Sequence, residues 1–171
     1  TLTLGSAAAQ SETKVGVTVA AQSTQEVNLT AFTDAVPGAW QTPPDASPRY
    51  QIEIVPLITS GGASCSYQVF DQFSTRYLDA RAIRKKVDLQ VTISDLETQN
   101  QIASETFTGT IPSGCPSTIS CTIAQGHASC PDIQMMPDTA EFASWLMATM
   151  SGLPNLEMAA SPDVSRVFTE E

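Results

Sequence analysis

The sequence predicts a mainly β domain, antiparallel and sandwich-like, with two disulfides and one amphipathic C-terminal α-helix. Three observations support this fold class: an alternating apolar stretch at 87–93, a capped apolar stripe at 137–153, and an even set of four cysteines. The 171 residues suffice for one domain with a hydrophobic core and are too few for two. We therefore expect a single β-rich domain over 10–171, preceded by a separate segment at 1–9.

The first nine residues allow two interpretations. Residues 1–10, TLTLGSAAAQ, are similar to the end of a secretory signal, with Ala7-Ala8-Ala9 as the cleavage site. Alternatively the segment is retained in the mature protein. Its alternating Leu2 and Leu4 would then form a short strand that adds to the open sheet edge of a neighbouring subunit. The first interpretation indicates export, and the second indicates an assembly.

Alternating apolar residues predict strands over 14–20, 26–32 and 50–58. Pro56 is expected to break the third strand or to mark a sheet edge, because proline cannot donate a ladder hydrogen bond. Gly61-Gly62 is expected to form a turn, after which the extended pattern resumes at Cys65.

Between the second and third strands, residues 33–49 contain four prolines and are expected to form a long loop around Trp40. One interpretation is a ligand-binding loop in which Trp40 makes an aromatic contact. The other is that Trp40 pins the loop to the core, as large aromatic side chains usually do.

The stretch 87–93 places its odd-numbered residues on one face of a strand. Polar residues 97–100 turn the chain, and Ala103 and Phe107 return on the same apolar face. We expect a half-buried hairpin that leads directly to Cys115.

The four cysteines favour two disulfides, Cys65–Cys115 and Cys121–Cys130, in an oxidising compartment. The competing interpretation is a structural zinc site formed by Cys115, Cys121, His127 and Cys130. Its five-residue spacers are wider than usual, and it would leave Cys65 unpaired. We predict the disulfides.

A basic cluster stands out in a chain whose formal net charge is −10. It contains five of the eight basic residues, namely Arg76, Arg81, Arg84, Lys85 and Lys86. The functional interpretation is a docking patch for an acidic partner or anionic ligand. The alternative is charge at the start of an exposed strand, where lysine also discourages edge pairing.

The most clearly predicted helix covers 137–153, where Asp138 and Glu141 form a capping box and an apolar stripe follows at three- and four-residue spacing. We expect this stripe to pack on the sheet. A last short strand is expected near 164–168.

The chain lacks the usual catalytic signatures. His127 is the only histidine, and no G-x-S-x-G, H-E-x-x-H or phosphate-binding loop occurs. In the absence of such motifs we predict no cofactor. The strongly negative net charge predicts that the protein has no nucleic-acid partner. The scattered carboxylates leave a hydrolase open as an alternative.

Two motifs resemble those of uncharacterised bacterial extracytoplasmic β-rich domains. One is the F-x-G-x-x-P-x-x-C-P turn at 107–116, and the other is the F-x-x-W-L helix at 142–146. The resemblance implies a secreted, periplasmic or cell-surface setting and brings no catalytic residues with it.

These observations together predict a non-catalytic extracytoplasmic interaction or structural module. The specific version of this prediction is a subunit of an extracellular or membrane-associated assembly. Its partner would be another protein or a second copy of itself. The alternative functions are a small-ligand binder that uses the 33–49 loop, and a carboxylate-based hydrolase.

Overall fold

The computed structural model describes residues 15–24, 27–154 and 156. The strands are β1 (Val17–Ala21), β2 (Tyr50–Asp71), β3 (Arg76–Asp95), β4 (Asn100–Phe107), β5 (Thr122–Ala124), β6 (His127–Ser129) and β7 (Ile133–Met135). The helical segments are α1 (Thr30–Asp34), a 3₁₀ turn (Gly38–Trp40) and α2 (Thr139–Met150). No helix among these is long and apolar enough to cross a membrane.

Strands β2, β3 and β4 form an antiparallel meander that is the centre of a five-stranded sheet. Strand β1 adds to β2 in parallel, and the short β7 adds in parallel to β3 where β4 no longer covers it. Strands β5 and β6 form a separate two-stranded hairpin. The predicted mainly β fold with one C-terminal helix and two disulfides is confirmed.

The main core lies between the sheet and the helices. Helix α2 buries Phe142, Leu146 and Met150 against the apolar face of β2, β3 and β4, as its stripe predicts. Phe142 makes edge-to-face contacts with Phe32 of α1 at 5.5 Å and with Phe107 of β4 at 5.7 Å. The helix begins where the Asp138 carboxylate accepts the N–H of Ala140.

A second, smaller core lies on the opposite face of the same strands. In β3 the main core uses odd-numbered residues, from Val87 to Ile93, whereas the second core uses Ala80 and Ala82. Successive side chains of a strand point to opposite faces, so the buried face changes along the β2–β3 ribbon. We call residues 64–83, beyond this change, the distal arm.

Strand β2 is longer than predicted, because it continues through Pro56 and through Gly61-Gly62 to Asp71. Its even-numbered residues face β1, so the N–H that Pro56 lacks would not have bonded to β3. The glycines form a bulge rather than a turn. Four steps along β2, from Ser60 to Ser64, oppose two steps along β3, from Lys85 to Ile83.

The strand predicted over 26–32 is wrong, because helix α1 begins at Thr30. The side chain of Asn28 accepts hydrogen bonds from the N–H of Thr30 at 2.9 Å and from its hydroxyl at 2.6 Å. Such a side-chain bond to the backbone two residues on favours a turn over an extended strand. The alternation of Val27 and Leu29 therefore reflects burial beneath the sheet.

Both predicted disulfides are present. Cys65–Cys115 ties the distal arm to the chain that follows β4, and Cys121–Cys130 closes the β5–β6 hairpin. Such bonds are typical of an oxidising, extracytoplasmic environment. The residues predicted as a signal remnant or exchanged strand at 1–9, and as a strand at 164–168, lie outside the described part.

Candidate functional site

The end of the distal arm exposes three aromatic side chains, which we call the aromatic tip. Phe73 is 94 % exposed, Tyr77 66 % and Phe70 52 %. Phe70 and Tyr77 are opposite each other on β2 and β3, with ring centroids 5.2 Å apart. Phe73 lies in the loop that joins the two strands. An apolar group of this size at the end of a ribbon is unusual on a free surface.

A single carboxylate organises the loop at the tip. Asp71 accepts the Ser74 hydroxyl at 2.6 Å and the N–H of Phe73 at 3.0 Å. These hydrogen bonds lower the pKa of Asp71 below its usual value, so it is ionised at neutral pH. Thr75 completes the turn with a positive φ of 52°. Phe73 is thus held outward by an ordered loop.

The loop between β3 and β4 is built in the same way. Asp95 accepts the N–H of Glu97 at 2.8 Å, and Gln99 adopts a φ of 62° at the position that matches Thr75. In this second loop the residue that corresponds to Phe73 is Glu97, an exposed residue whose carboxylate lies 3.4 Å from the Arg49 guanidinium. The turn geometry therefore does not require a phenylalanine at position 73.

One face of the distal arm is open along its whole length. Its eight residues are all exposed and alternate with the residues that contact the second core. This open face consists of Ser64, Ser66, Gln68, Phe70, Tyr77, Asp79, Arg81 and Ile83. The opposite face is covered by the segment that Cys65–Cys115 attaches, where the Tyr67 hydroxyl donates to the Pro116 carbonyl at 3.1 Å. The covering segment gives the arm one buried and one available side.

The basic cluster is not gathered into one patch. Strand alternation separates Arg81 and Lys85 from the other three, Arg76, Arg84 and Lys86. Three of the five are engaged locally. Arg84 donates to the Pro112 carbonyl, Lys85 lies 2.5 Å from Asp132, and Lys86 lies 2.9 Å from Asp88. The lysine contact lowers the pKa of Asp132. Arg76 and Arg81 remain exposed beside the aromatic tip and on the open face.

Trp40 belongs to the main core, where its side chain is 2 % exposed. The interpretation that it pins the 33–49 loop is therefore correct, and an aromatic contact from Trp40 to a ligand is not available at the surface. The same loop and β1 enclose an open cleft of about 520 Å³. Its lining combines polar residues, among them Thr18, Thr33 and Asp34, with valines and prolines, and it does not include Trp40.

The proposed zinc ligands are not assembled, because Cys115 is bonded to Cys65 and Cys121 to Cys130. Disulfide sulfurs are not thiolate ligands, and His127 lies exposed in β6. Within 15–24, 27–154 and 156, no three of the His, Cys, Asp and Glu residues group in a way that could hold a metal ion.

Among the residues that the structure describes, the carboxyl groups with a shifted pKa are Asp71, Asp95 and Asp132, and in each the pKa is lowered. Burial acts to raise the pKa of Asp95. Hydrogen bonds from the backbone of Glu97 and Thr98, together with Arg49 at 3.3 Å, outweigh it. A general acid needs a shift in the opposite direction. The lowered pKa values therefore do not favour a general-acid role for these three groups.

No protein-family model, curated protein or solved structure matches this chain. Sequence reasoning missed the aromatic tip, since residues near 75 fit either a helix or a strand. The sequence does contain a signal for this loop. The segments DQFSTR at 71–76 and DLETQN at 95–100 each begin with an aspartate and carry a serine or threonine three residues later.

Proposed function

We propose that this protein is a non-catalytic interaction module of an extracytoplasmic assembly, secreted, periplasmic or at the cell surface, and that it contacts a protein partner through the aromatic tip. The observation that carries the proposal is Phe73. It is almost fully exposed in a loop whose counterpart places Glu97 at the same position.

The composition of the tip fits a protein interface. Aromatic residues and arginine are enriched at the centres of such interfaces. Phe70, Phe73 and Tyr77 supply the aromatic part, and Arg76 begins β3 directly after the loop. Burying one phenylalanine is worth about 1.5–3 kcal/mol, so occlusion of Phe73 alone would change the affinity by about 10- to 100-fold.

The shape of the molecule favours the same surface. The main core and both helices lie at the base of the ribbon, and the distal arm extends beyond them. The β-ladder holds strands β2 and β3 of the arm together, and the Cys65–Cys115 bond fastens β2 to the segment that follows β4. A preorganised surface loses little conformational entropy on binding, which favours affinity.

The test exploits the two equivalent loops. A photoreactive amino acid is placed at position 73, or at position 97 as the matched control, in cells that naturally make the protein. We expect a discrete protein adduct from position 73 that disappears when Phe70 and Tyr77 are replaced by serine. Equal labelling from positions 73 and 97, or no discrete adduct from 73, would contradict the proposal.

Phe73→Glu provides the complementary variant, because it recreates a residue that the β3–β4 loop already tolerates. Its thermal midpoint and circular dichroism spectrum should match those of the wild type, while the cross-linked partner should no longer co-purify. Co-purification that is unchanged by Phe73→Glu would remove the tip from the interface.

A second candidate is the binding of a small polar ligand in the cleft of the 33–49 loop. It is favoured by the cleft volume of about 520 Å³ and by the mixed lining, in which three threonines and Asp34 stand among valines and prolines. Thr18→Trp would fill this cleft. A ligand that raises the melting temperature of the wild type but not of Thr18→Trp would support this function, and equal shifts would exclude it.

A further inference from the structure

The side edge of β2 along the distal arm is an unpaired sheet edge. Strand β1 pairs with β2 only as far as Ile54. Among the residues that the structure describes, no other strand pairs with this side of β2 between Val55 and Asp71. Natural sheet edges are usually protected against adding a further strand. Pro56 and the bulge at Ser60–Ser64 protect the near part, which leaves residues 64–70 accessible.

Within residues 64–70 of β2, the N–H and C=O groups of the even-numbered residues point away from β3, toward the unpaired edge. At the base, Tyr50 donates its N–H to Gly16 and Ile54 accepts from Gln22, so even-numbered residues of β2 face β1. The bulge shifts the β2–β3 pairing by an even number of residues, so this alternation continues into the arm. The hydrogen bond of Ile83, which is opposite Ser64, is consistent with this alternation, because its N–H points away from β2 and donates to the Asp132 carboxylate.

Within the described part of the chain, four residues therefore present N–H and C=O groups that no strand pairs with, in the positions that an added strand requires. They are Ser64, Ser66, Gln68 and Phe70.

A groove runs beside this edge. It has a volume of about 310 Å³, with residues 67–70 of β2 on one side and residues 117–119 and Cys121 on the other. Its second wall is held by the Cys65–Cys115 disulfide and by the Tyr67–Pro116 hydrogen bond. An extended segment could bond to the edge and place alternate side chains in the groove, which is how strand-addition sites achieve selectivity.

The groove and edge are uncharged although the chain carries a net charge of −10. No charged side chain occurs between Val55 and Phe70, and none lines the groove. The occupant that fits is therefore an uncharged extended segment with small or alternating apolar side chains. A second copy of β2 fits this edge less well than a free segment does. Its own residues 117–121 would lie on the same face of the joined sheet and would compete for the same space.

We propose that the occupant is the segment Thr1–Ala9 of a second copy of this protein. That segment lies outside the described residues. It carries no charged side chain, and Leu2 and Leu4 alternate with threonines and are followed by small residues. The sequence alone predicts a donor strand but no acceptor, and the distal edge of β2 supplies the acceptor.

Chain length makes the exchange intermolecular. Gln68 pairs with Asp79 and Tyr50 with Asp95, sixteen residues apart on β3. At about 3.3 Å per residue, the centre of the groove lies about 50 Å from Tyr50, beside which β1 begins. The eleven residues from Leu4 to Val15 span at most about 40 Å. The segment therefore reaches the groove of a neighbour and not that of its own chain.

The exchange shares Phe70 with the aromatic tip through the backbone groups of that residue, and it does not use Phe73 or Tyr77. A Phe73 substitution therefore separates the failure of this proposal from the failure of the proposed function. Each copy gives one donor and offers one acceptor, which is a head-to-tail interface that closes into a ring or extends into a filament.

The test measures the mass of the full chain by analytical ultracentrifugation across a wide range of concentrations. Gln68→Pro removes one outward N–H at the acceptor edge without breaking the β2–β3 ladder, and Gln68→Ala, which keeps the N–H, is the matched control. The donor variant is Leu2→Asp with Leu4→Asp. We expect the wild type and Gln68→Ala to self-associate, and both other variants to associate at least about tenfold more weakly.

Mixing the two defective variants gives the decisive result. The Gln68→Pro chain keeps an intact donor and the Leu-substituted chain keeps an intact acceptor, so together they should form a one-to-one dimer. A synthetic TLTLGSAAA peptide should dissociate the wild-type assembly, whereas the same peptide N-methylated at the residues that face β2 should not.

Three results would overturn the proposal. One is a wild type that stays monomeric at every concentration. Another is self-association that Gln68→Pro abolishes but the leucine substitutions do not, which would indicate β2–β2 pairing. The third is a mixture of the two variants that remains monomeric. Circular dichroism that matches the wild type confirms that Gln68→Pro is folded, and Phe73→Glu should leave the association unchanged.

Discussion

Removal of the Cys65–Cys115 disulfide should cost more stability than removal of Cys121–Cys130. The two bonds close segments of very different length, with sequence separations of 50 and 9 residues. In the chain-entropy model these separations correspond to about 4 kcal/mol and about 2.5 kcal/mol of unfolding free energy. The perturbation is Cys65→Ala with Cys115→Ala, compared with Cys121→Ala with Cys130→Ala. Alanine suits the buried Cys65 because it leaves no unpaired polar group.

The loss should be concentrated in the distal arm. The second core contains two alanines and a cysteine as its buried members, so the arm has little apolar burial beyond the disulfide. The main core buries many large side chains, including Trp40 and Phe142. We therefore expect amide exchange in residues 64–83 to accelerate strongly in the Cys65→Ala/Cys115→Ala variant, while the base of the sheet stays protected.

Two measurements check this prediction. Urea unfolding followed by tryptophan fluorescence reports the main core, because both Trp40 and Trp145 belong to it. Hydrogen exchange read by mass spectrometry reports the arm. The reasoning is refuted if the long-loop variant loses less free energy than the short-loop variant, or if exchange in 64–83 is the same as in the wild type.

Three further predictions concern the base and the edges of the sheet. Phe142→Ala should lower the unfolding free energy by about 3–5 kcal/mol in urea titration, because the ring is fully buried between two other aromatic rings. Gly109→Ala should lower the melting temperature and speed amide exchange in β7, because the added Cβ would lie 2.2 Å from the carbonyl oxygen of Val87 in β3 and 2.6 Å from that of Met135 in β7. The control is Gly114→Ala, which should leave both measurements unchanged because its Cβ would meet nothing within 4 Å. The melting temperature should fall as the pH drops below about 4, because Asp95 has a lowered pKa and the stability that its ionised form contributes is lost on protonation. Asp95→Asn should flatten this pH dependence. A pH profile that Asp95→Asn leaves unchanged would contradict the stabilising role of the Arg49–Asp95 contact.

Much of the fold could be predicted because it depends on local pattern. The alternation at 87–93, the capped stripe that begins at Asp138 and the pairing of four cysteines each use short-range rules, and each is confirmed. The helix at Thr30 was missed because a buried alternation is compatible with either element when a side-chain hydrogen bond starts the turn.

The candidate site was harder to predict for a physical reason. Whether Phe70 is exposed depends on which face of the ribbon the segment after β4 covers, and that segment is attached through Cys115, 45 residues along the chain from Phe70. No local pattern encodes this choice. Similarly, the basic cluster is compact in sequence but divided in space, because a strand distributes consecutive residues between two faces.

The change of buried face along β2 and β3 links the base of the molecule to its far end. The open face of the arm and the buried face at Ile52 and Ile54 are formed by the same parity of residues in β2. A one-residue slip between β2 and β3 would expose both isoleucines and turn Gln68 and Phe70 toward the covering segment. Burial of the two isoleucines therefore fixes the register of β2 on β3. That register in turn sets the orientation of a contact surface more than a dozen residues away.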